Sequence, residues 1–165
     1  MPSQPDLGPA APGDGAAIAE LLQAAAHWMR AEGRPLWNAE DFQSDKIESE
    51  LSLWRVAVSE SEILGGFKLE DHDSFFWPEI SKGESLFLHK LVVKRTRAGT
   101  DLSTALLRFA VAETRRGRKP WLRLDCDATR PKLRAVYERF GFQHHSDRRI
   151  GSYVAARYQY RISPS

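Results

Sequence analysis

Ile18, Leu21, Leu22, Ala25, Trp28 and Met29 recur at spacings of three and four, which predicts a helix with one apolar face. Asp14 stands at the N-cap position, and Gly33-Arg34-Pro35 ends the helix near Glu32. Residues 1–13 are rich in Pro, Gly and Ala and read as a tail, frayed over residues 1–5, leading into a weak first strand. A second, more polar helix is expected from about Ala39 to Leu51, with Phe42, Ile47 and Leu51 buried. The period then changes. Leu53–Ser59 and Ile63–Glu70 are rich in Val, Ile, Leu and aromatics and predict a β-hairpin across Ser59-Glu60-Ser61-Glu62. Asp71–Lys82 has no clear period and reads as a strand end followed by a loop.

Downstream, strands and helices alternate. Leu86–Val93 is almost continuously apolar, as in a strand covered on both faces. Asp101–Arg116 predicts a helix with Leu102, Leu106, Phe109 and Ala110 along one side; Glu113 takes the next position and ends the apolar stripe. Trp121–Cys126 is a further strand. Pro131–Phe140 is a short helix carrying Leu133, Val136, Tyr137 and Phe140 on one side, with Gly141 as its C-cap. Two last strands are expected near Phe142–His145 and Tyr153–Ile162, where Tyr158, Tyr160 and Ile162 alternate with Arg157, Gln159 and Arg161. The order β-α-α-β-β-β-α-β-α-β-β predicts a mixed α/β fold in a single domain over residues 1–165.

Composition narrows the class. At 165 residues, 42% hydrophobic and 28% charged, the chain can close a substantial core. No apolar run approaches the roughly 20 residues of a membrane span, and no secretory signal is visible at the N-terminus. The single cysteine, Cys126, excludes an intrachain disulfide and fits a reducing cytoplasm. His144-His145 is a lone doublet, and no metal-ligand spacing stands out. The net charge of +2 is unevenly spread. Lys94, Arg95 and Arg97 precede the central helix, Arg115, Arg116, Arg118 and Lys119 follow it, and Arg130, Lys132 and Arg134 form a third group. Such grouping suits a polyanionic small molecule or a nucleic acid. The low net charge and the lack of a nucleic-acid-binding motif argue against the second.

The candidate chemistry lies in two strand-to-helix segments. In the first, Leu91-Val92-Val93 leads through Ala98-Gly99-Thr100 into the helix that starts near Asp101. A helix N-terminus after a small-residue turn presents unpaired N–H groups and a positive dipole end, which suits a pyrophosphate. In the second, Trp121–Cys126 leads through Arg130-Pro131 into a helix whose Tyr137 stands four residues before Gly141-Phe142. These segments, in this order and separated by one amphipathic helix, resemble the GNAT acyltransferase superfamily. Its members place a Leu-x-Val strand before a Gln/Arg-x-x-Gly-x-Gly/Ala loop, and later Asn and Tyr before Gly-Phe. This chain has one loop glycine, Gly99, with Asp101 and Ser103 where small residues are usual and Arg130 where Asn is frequent.

The resemblance implies a mixed, mostly antiparallel central sheet with flanking helices, and an N-acetyltransferase with acetyl-CoA as cosubstrate and no metal. It implies that two central strands splay, so that Leu91, Val92 and Val93 lie along the pantetheine arm. Arg97, Ala98, Gly99, Thr100, Asp101, Leu102, Ser103 and Thr104 would bind the pyrophosphate, and Arg130 would reach a CoA phosphate. Asp101, acting as a cap, would compete for the same amides. Tyr137 would be the general acid for the leaving thiolate. His89, on the motif strand, is the candidate base, with a structural histidine as the alternative. Glu70, Asp71, Asp73 and Glu79 are further acceptor-side groups, and Phe75, Phe76 and Trp77 wall the acceptor pocket or belong to the core. The acceptor is a small-molecule or peptide amine, and the Tyr158–Ile162 strand offers a route to a homodimer. A GNAT-fold binding module with weak or no CoA-dependent catalysis is the alternative reading.

Overall fold

A computed structural model describes residues 4–164; of the expected frayed tail, residues 1–3 lie outside the described residues. The strands are β1 (Asp6–Pro9), β2 (Trp54–Ser59), β3 (Glu62–Glu70), β4 (Ser85–Val93), β5 (Trp121–Asp127), β6 (Gln143–Ile150) and β7 (Tyr153–Arg161). The helices are α1 (Gly15–Ala31), α2 (Ser44–Ser49), α3 (Leu102–Arg116) and α4 (Pro131–Phe140). The strands form one seven-stranded sheet in the order β1-β2-β3-β4-β5-β7-β6. β1–β2, β2–β3, β5–β7 and β6–β7 pair antiparallel, and β4–β5 pairs parallel. The mixed α/β expectation holds. The chain forms two compact units, one reaching to Lys68 with Lys90–Leu106 added, the other Leu69–His89 with Leu107 onward.

In the first unit, Ile18, Ala19, Leu22 and Ala26 of α1 pack with Phe42, Ile47, Trp54, Val56 and Val92. Trp28 departs from the expected apolar face: it is 41% exposed, with the Arg95 guanidinium 3.7 Å from its ring centroid. Asp14 occupies the N-cap position but turns its carboxylate back to accept from the Ala11 amide. The Glu48 carboxylate of α2 instead accepts from the Gly13 and Gly15 amides, both at 2.8 Å. This close approach explains Gly15. A Cβ there would lie 2.6 Å from Glu48 Oε1 and 2.8 Å from the Ser44 carbonyl oxygen. The expected helix 39–51 is broken into two short 3₁₀ turns, Ala39–Asp41 and Leu51–Leu53, on either side of α2. The β2–β3 turn places both Glu60 and Ser61 at positive φ, the type I′ requirement that Asn-Gly usually meets.

In the second unit, Trp77, Phe87, Leu122, Leu124 and Tyr158 are almost fully buried. Two arginines join them. Arg123 and Arg157 are 4% and 7% exposed, with guanidinium carbons 5.1 Å and 4.6 Å from the Trp77 ring centroid. Arg157 and Tyr158 alternate along β7 as expected, yet both are buried. Arg157 donates to Ser146 Oγ, the Phe76 carbonyl and Glu79, which satisfies its charge inside the protein. The stripe on α3 also runs past Glu113, because fully buried Thr114 returns its hydroxyl to the Ala110 carbonyl at 2.7 Å. β6 extends to Ile150, beyond the expected His145, as a polar edge strand. It covers one side of β7 from Tyr153 to Gln159, with β5 on the other side.

Candidate active site

The phosphate-loop candidate belongs to the first unit. Arg95–Arg97 form a 3₁₀ turn in which the Arg97 amide donates to the Lys94 carbonyl and the Ala98 amide to that of Arg95. Gly99 follows at φ 80, a conformation glycine adopts without steric cost, and nothing lies within 4 Å of where its Cβ would be. The Thr100 amide and hydroxyl both donate to the Arg97 carbonyl, and the Thr100 oxygen lies 3.4 Å from the Leu102 amide, over the first turn of α3. Asp101 does not act as the cap. Among the described residues its carboxylate makes no hydrogen bond, so the Ser103 and Thr104 amides are not covered by it. Of the three preceding cations, Lys94 pairs with Glu62 and Arg95 stacks on Trp28. Arg97 is left as the cation beside the turn that makes no ion pair among the described residues. An open turn with outward amides and one uncommitted cation fits a diphosphate.

Leu91, Val92 and Val93 end β4, with Val92 buried in the first unit's core. Lys90 before them sits at φ 56, which interrupts the pleat and shifts burial from Phe87 and Leu88 to Val92. Strict alternation, which predicted a shared face for His89 and Leu91, does not apply across it.

The second unit holds the titratable groups. β4 and β5 are registered only at Ser85–Trp121, Leu86–Leu122 and Phe87–Arg123, so the ladder stops just before His89 although both strands continue. There, ligand-capable atoms of Asp73, His89 and Asp125 lie within 4.8 Å of one another. Asp73 opens the irregular segment: its Oδ1 accepts from the Phe75 and Phe76 amides at 3.0 Å and 2.9 Å. Its Oδ2 is buried without a hydrogen-bond partner and lies 3.7 Å from His89 Nε2. Trp77 belongs to the core, whereas Phe75 is 58% exposed. Glu79, an expected acceptor-side group, is held by Arg157 at 2.6 Å. Burial raises its pKa, but the Arg157 hydrogen bond and charge outweigh this and the net shift is downward.

Tyr137, on α4, is 6% exposed, edge-on to Phe142 and beside Tyr158. Gly141 caps that helix as expected, at φ 125. Burial, followed by neighbouring Cys126 and Asp125, raises the Tyr137 phenol well above its ordinary value. Cys126 is buried too and is pushed up to about 12, which makes it inert as a nucleophile. Arg130 Nε lies 3.6 Å from Asp127 Oδ2, while Asp127 Oδ1 accepts from the Thr129 amide at 2.9 Å. Asp125, which sequence reasoning did not single out, joins Asp73 and His89 in their cluster.

Comparison with known proteins gives the family. Residues 20–142 match the model of the Acetyltransferase (GNAT) family. The chain is 28% identical over 143 residues to the uncharacterised N-acetyltransferase YesJ of Bacillus subtilis, covering 82% of this chain and 79% of that one. A GNAT-family acetyltransferase from Listeria monocytogenes superimposes with a TM-score of 0.77 at 25% identity, covering 95% of this chain and 94% of that one. The PaiA N-acetyltransferase of Thermoplasma acidophilum, solved in complex with coenzyme A, shares the fold at a TM-score of 0.75 and 15% identity, covering 96% and 100%. The chain belongs to the GNAT acetyltransferase family and is an acyltransferase. No helix among the described residues is long and apolar enough to cross a membrane.

Proposed function

We propose that the protein moves an acetyl group from acetyl-CoA to a primary amine by direct attack within a ternary complex. The observation that carries this reading is that one unit holds both a buried phenol, Tyr137, and an imidazole, His89, the latter grouped with the Asp73 and Asp125 carboxylates. Those are the acid and the base that amine acetylation requires.

An amine that arrives as an ammonium must lose a proton before its nitrogen can attack. An imidazole, with an ordinary pKa of about 6.5, accepts protons at neutral pH, and His89 is assigned this role. When bound, acetyl-CoA supplies its acetyl group as a thioester. As the nitrogen–carbon bond forms and the carbon–sulfur bond breaks, Tyr137 gives its hydroxyl proton to the sulfur. Burial keeps that phenol protonated until then. In the first unit, the α3 amides and Arg97 hold the diphosphate, and the backbone of Leu91 and Val93 binds the pantetheine arm. The acceptor is a small molecule or a peptide amine, approaching past exposed Phe75.

The test is thiol release from acetyl-CoA in the presence of a panel of primary amines. Amine-dependent release that falls in Tyr137→Phe is the expected result. Release independent of every amine would contradict the transfer reaction.

A further inference from the structure

Phe75 is 58% exposed, yet its backbone is among the most firmly held in the second unit. Asp73 Oδ1 accepts from the Phe75 and Phe76 amides at 3.0 Å and 2.9 Å. Arg148 Nε, on β6, donates to the Phe75 carbonyl at 3.0 Å, and buried Arg157 donates to that of Phe76, also at 3.0 Å. The Phe75 ring stands edge-on to Phe76, centroids 4.8 Å apart, and Phe76 leans on Tyr153 at 6.4 Å. An apolar ring presented to solvent from so fixed a backbone is preorganised, because little freedom remains to be lost when something packs on it.

The charges on either side of Phe75 are of opposite sign. On its amide side is Asp73, whose Oδ2 is buried and has no hydrogen-bond partner. On its carbonyl side is Arg148, which commits only Nε to Phe75. The terminal nitrogens of Arg148 make no hydrogen bond or ion pair among the described residues. Such a guanidinium fork matches a carboxylate. A carboxylate, an exposed phenyl ring and a guanidinium, in that order, complement a molecule that joins an ammonium, an apolar side chain and a carboxylate.

We propose that the acceptor is a free α-amino acid with an aromatic or large apolar side chain. Arg148 takes its carboxylate, Phe75 packs on its side chain, and its ammonium lies toward Asp73, the end of the site grouped with His89 and Asp125. The proposal rests on the reading that the protein acetylates a primary amine. The nitrogen–carbon bond forms and the carbon–sulfur bond breaks, giving an N-acetyl amino acid and the CoA thiol, with one ammonium proton released to solvent.

The parent protein's order of acceptors tests this before any variant is made. With acetyl-CoA, kcat/KM for L-phenylalanine should exceed that for phenethylamine and phenylalaninamide, which lack the carboxylate, roughly 10–100-fold. It should exceed that for L-alanine, which lacks the ring, about tenfold. Parity of phenylalaninamide or of L-alanine with L-phenylalanine overturns the proposal. Arg148→Gln should collapse the phenylalanine-to-phenethylamine ratio, and Phe75→Ala the phenylalanine-to-alanine ratio. A folded variant that keeps its own ratio at the parent value overturns the assignment. Saturation-transfer NMR of L-phenylalanine with the CoA-loaded protein separates this proposal from the transfer reaction. Binding that is lost in Arg148→Gln, without acetylation of any amine, supports the amino-acid site and sinks the transfer. Absence of binding overturns the site, whichever other amines are acetylated.

Discussion

At the scale of single residues, the chemistry depends on which charges and hydroxyls are already committed. Tyr137 sits in an apolar setting and keeps its proton, so its role follows from burial more than from any partner. Tyr137→Phe should lower kcat on the order of 10²–10⁴-fold with little change in acetyl-CoA affinity, measured by steady-state kinetics and calorimetry. An unaltered kcat would remove it from the mechanism. Asp101 adds negative charge at the start of α3 without capping it. Asp101→Asn should therefore tighten CoA binding about two- to fivefold, the size of a charge effect at a helix terminus. Weaker binding would show that the carboxylate supports the loop. The motif residues Tyr137 and Gly99 were legible in the sequence because their spacing is local. Asp73 was named only as one of four acceptor-side groups and Asp125 not at all: they meet His89 from the loop after β3 and from β5, and no local pattern encodes that meeting.

At the scale of elements, long-range contacts decide where helices begin and which strand faces are buried. The α1 N-terminus is held by Glu48, 33 residues from Gly15, and not by neighbouring Asp14. The hydrogen bonds from the Gly13 and Gly15 amides hold the Glu48 carboxyl below its ordinary value. Because the folded pKa is the lower one, the stabilisation is present above the unfolded value and is lost as pH falls through the folded value. The melting temperature of Glu48→Gln should therefore be lower at neutral pH and converge with that of the parent in acid. A constant gap across pH would contradict this. Gly15→Ala should destabilise by roughly 1–3 kcal/mol despite the better helix propensity of alanine, because its methyl would overlap a backbone carbonyl. Denaturant titration checks the sign. The same logic explains two places where the structure goes beyond the sequence pattern. Arg157 alternates with buried Tyr158 along β7, yet Glu79, Ser146 and Trp77 accommodate it inside. The 39–51 segment looked like one helix by its apolar spacing, but Glu48 and Ile47 are fixed by α1, and the pieces around α2 tighten into 3₁₀ turns.

At the scale of the whole molecule, the order of elements along the chain follows from patterns of period 2 and 3.6, so the mixed α/β class was legible before any coordinates. The mostly antiparallel sheet with flanking helices was implied by the family resemblance, and the strand order in the sheet came from the structure. The family followed from two motifs that cover about a third of the chain. What remains is whether the atypical loop binds its cosubstrate. A ligand that binds only the folded state stabilises it by about 2.7 kcal/mol at a hundredfold excess over Kd. For a chain of this size that corresponds to a rise in Tm of roughly 5–10 °C. Thermal unfolding with increasing acetyl-CoA, up to millimolar, is the most direct measurement. A saturable rise in Tm is the predicted result, and an unchanged Tm at millimolar acetyl-CoA would contradict the account and leave a GNAT fold without the donor site.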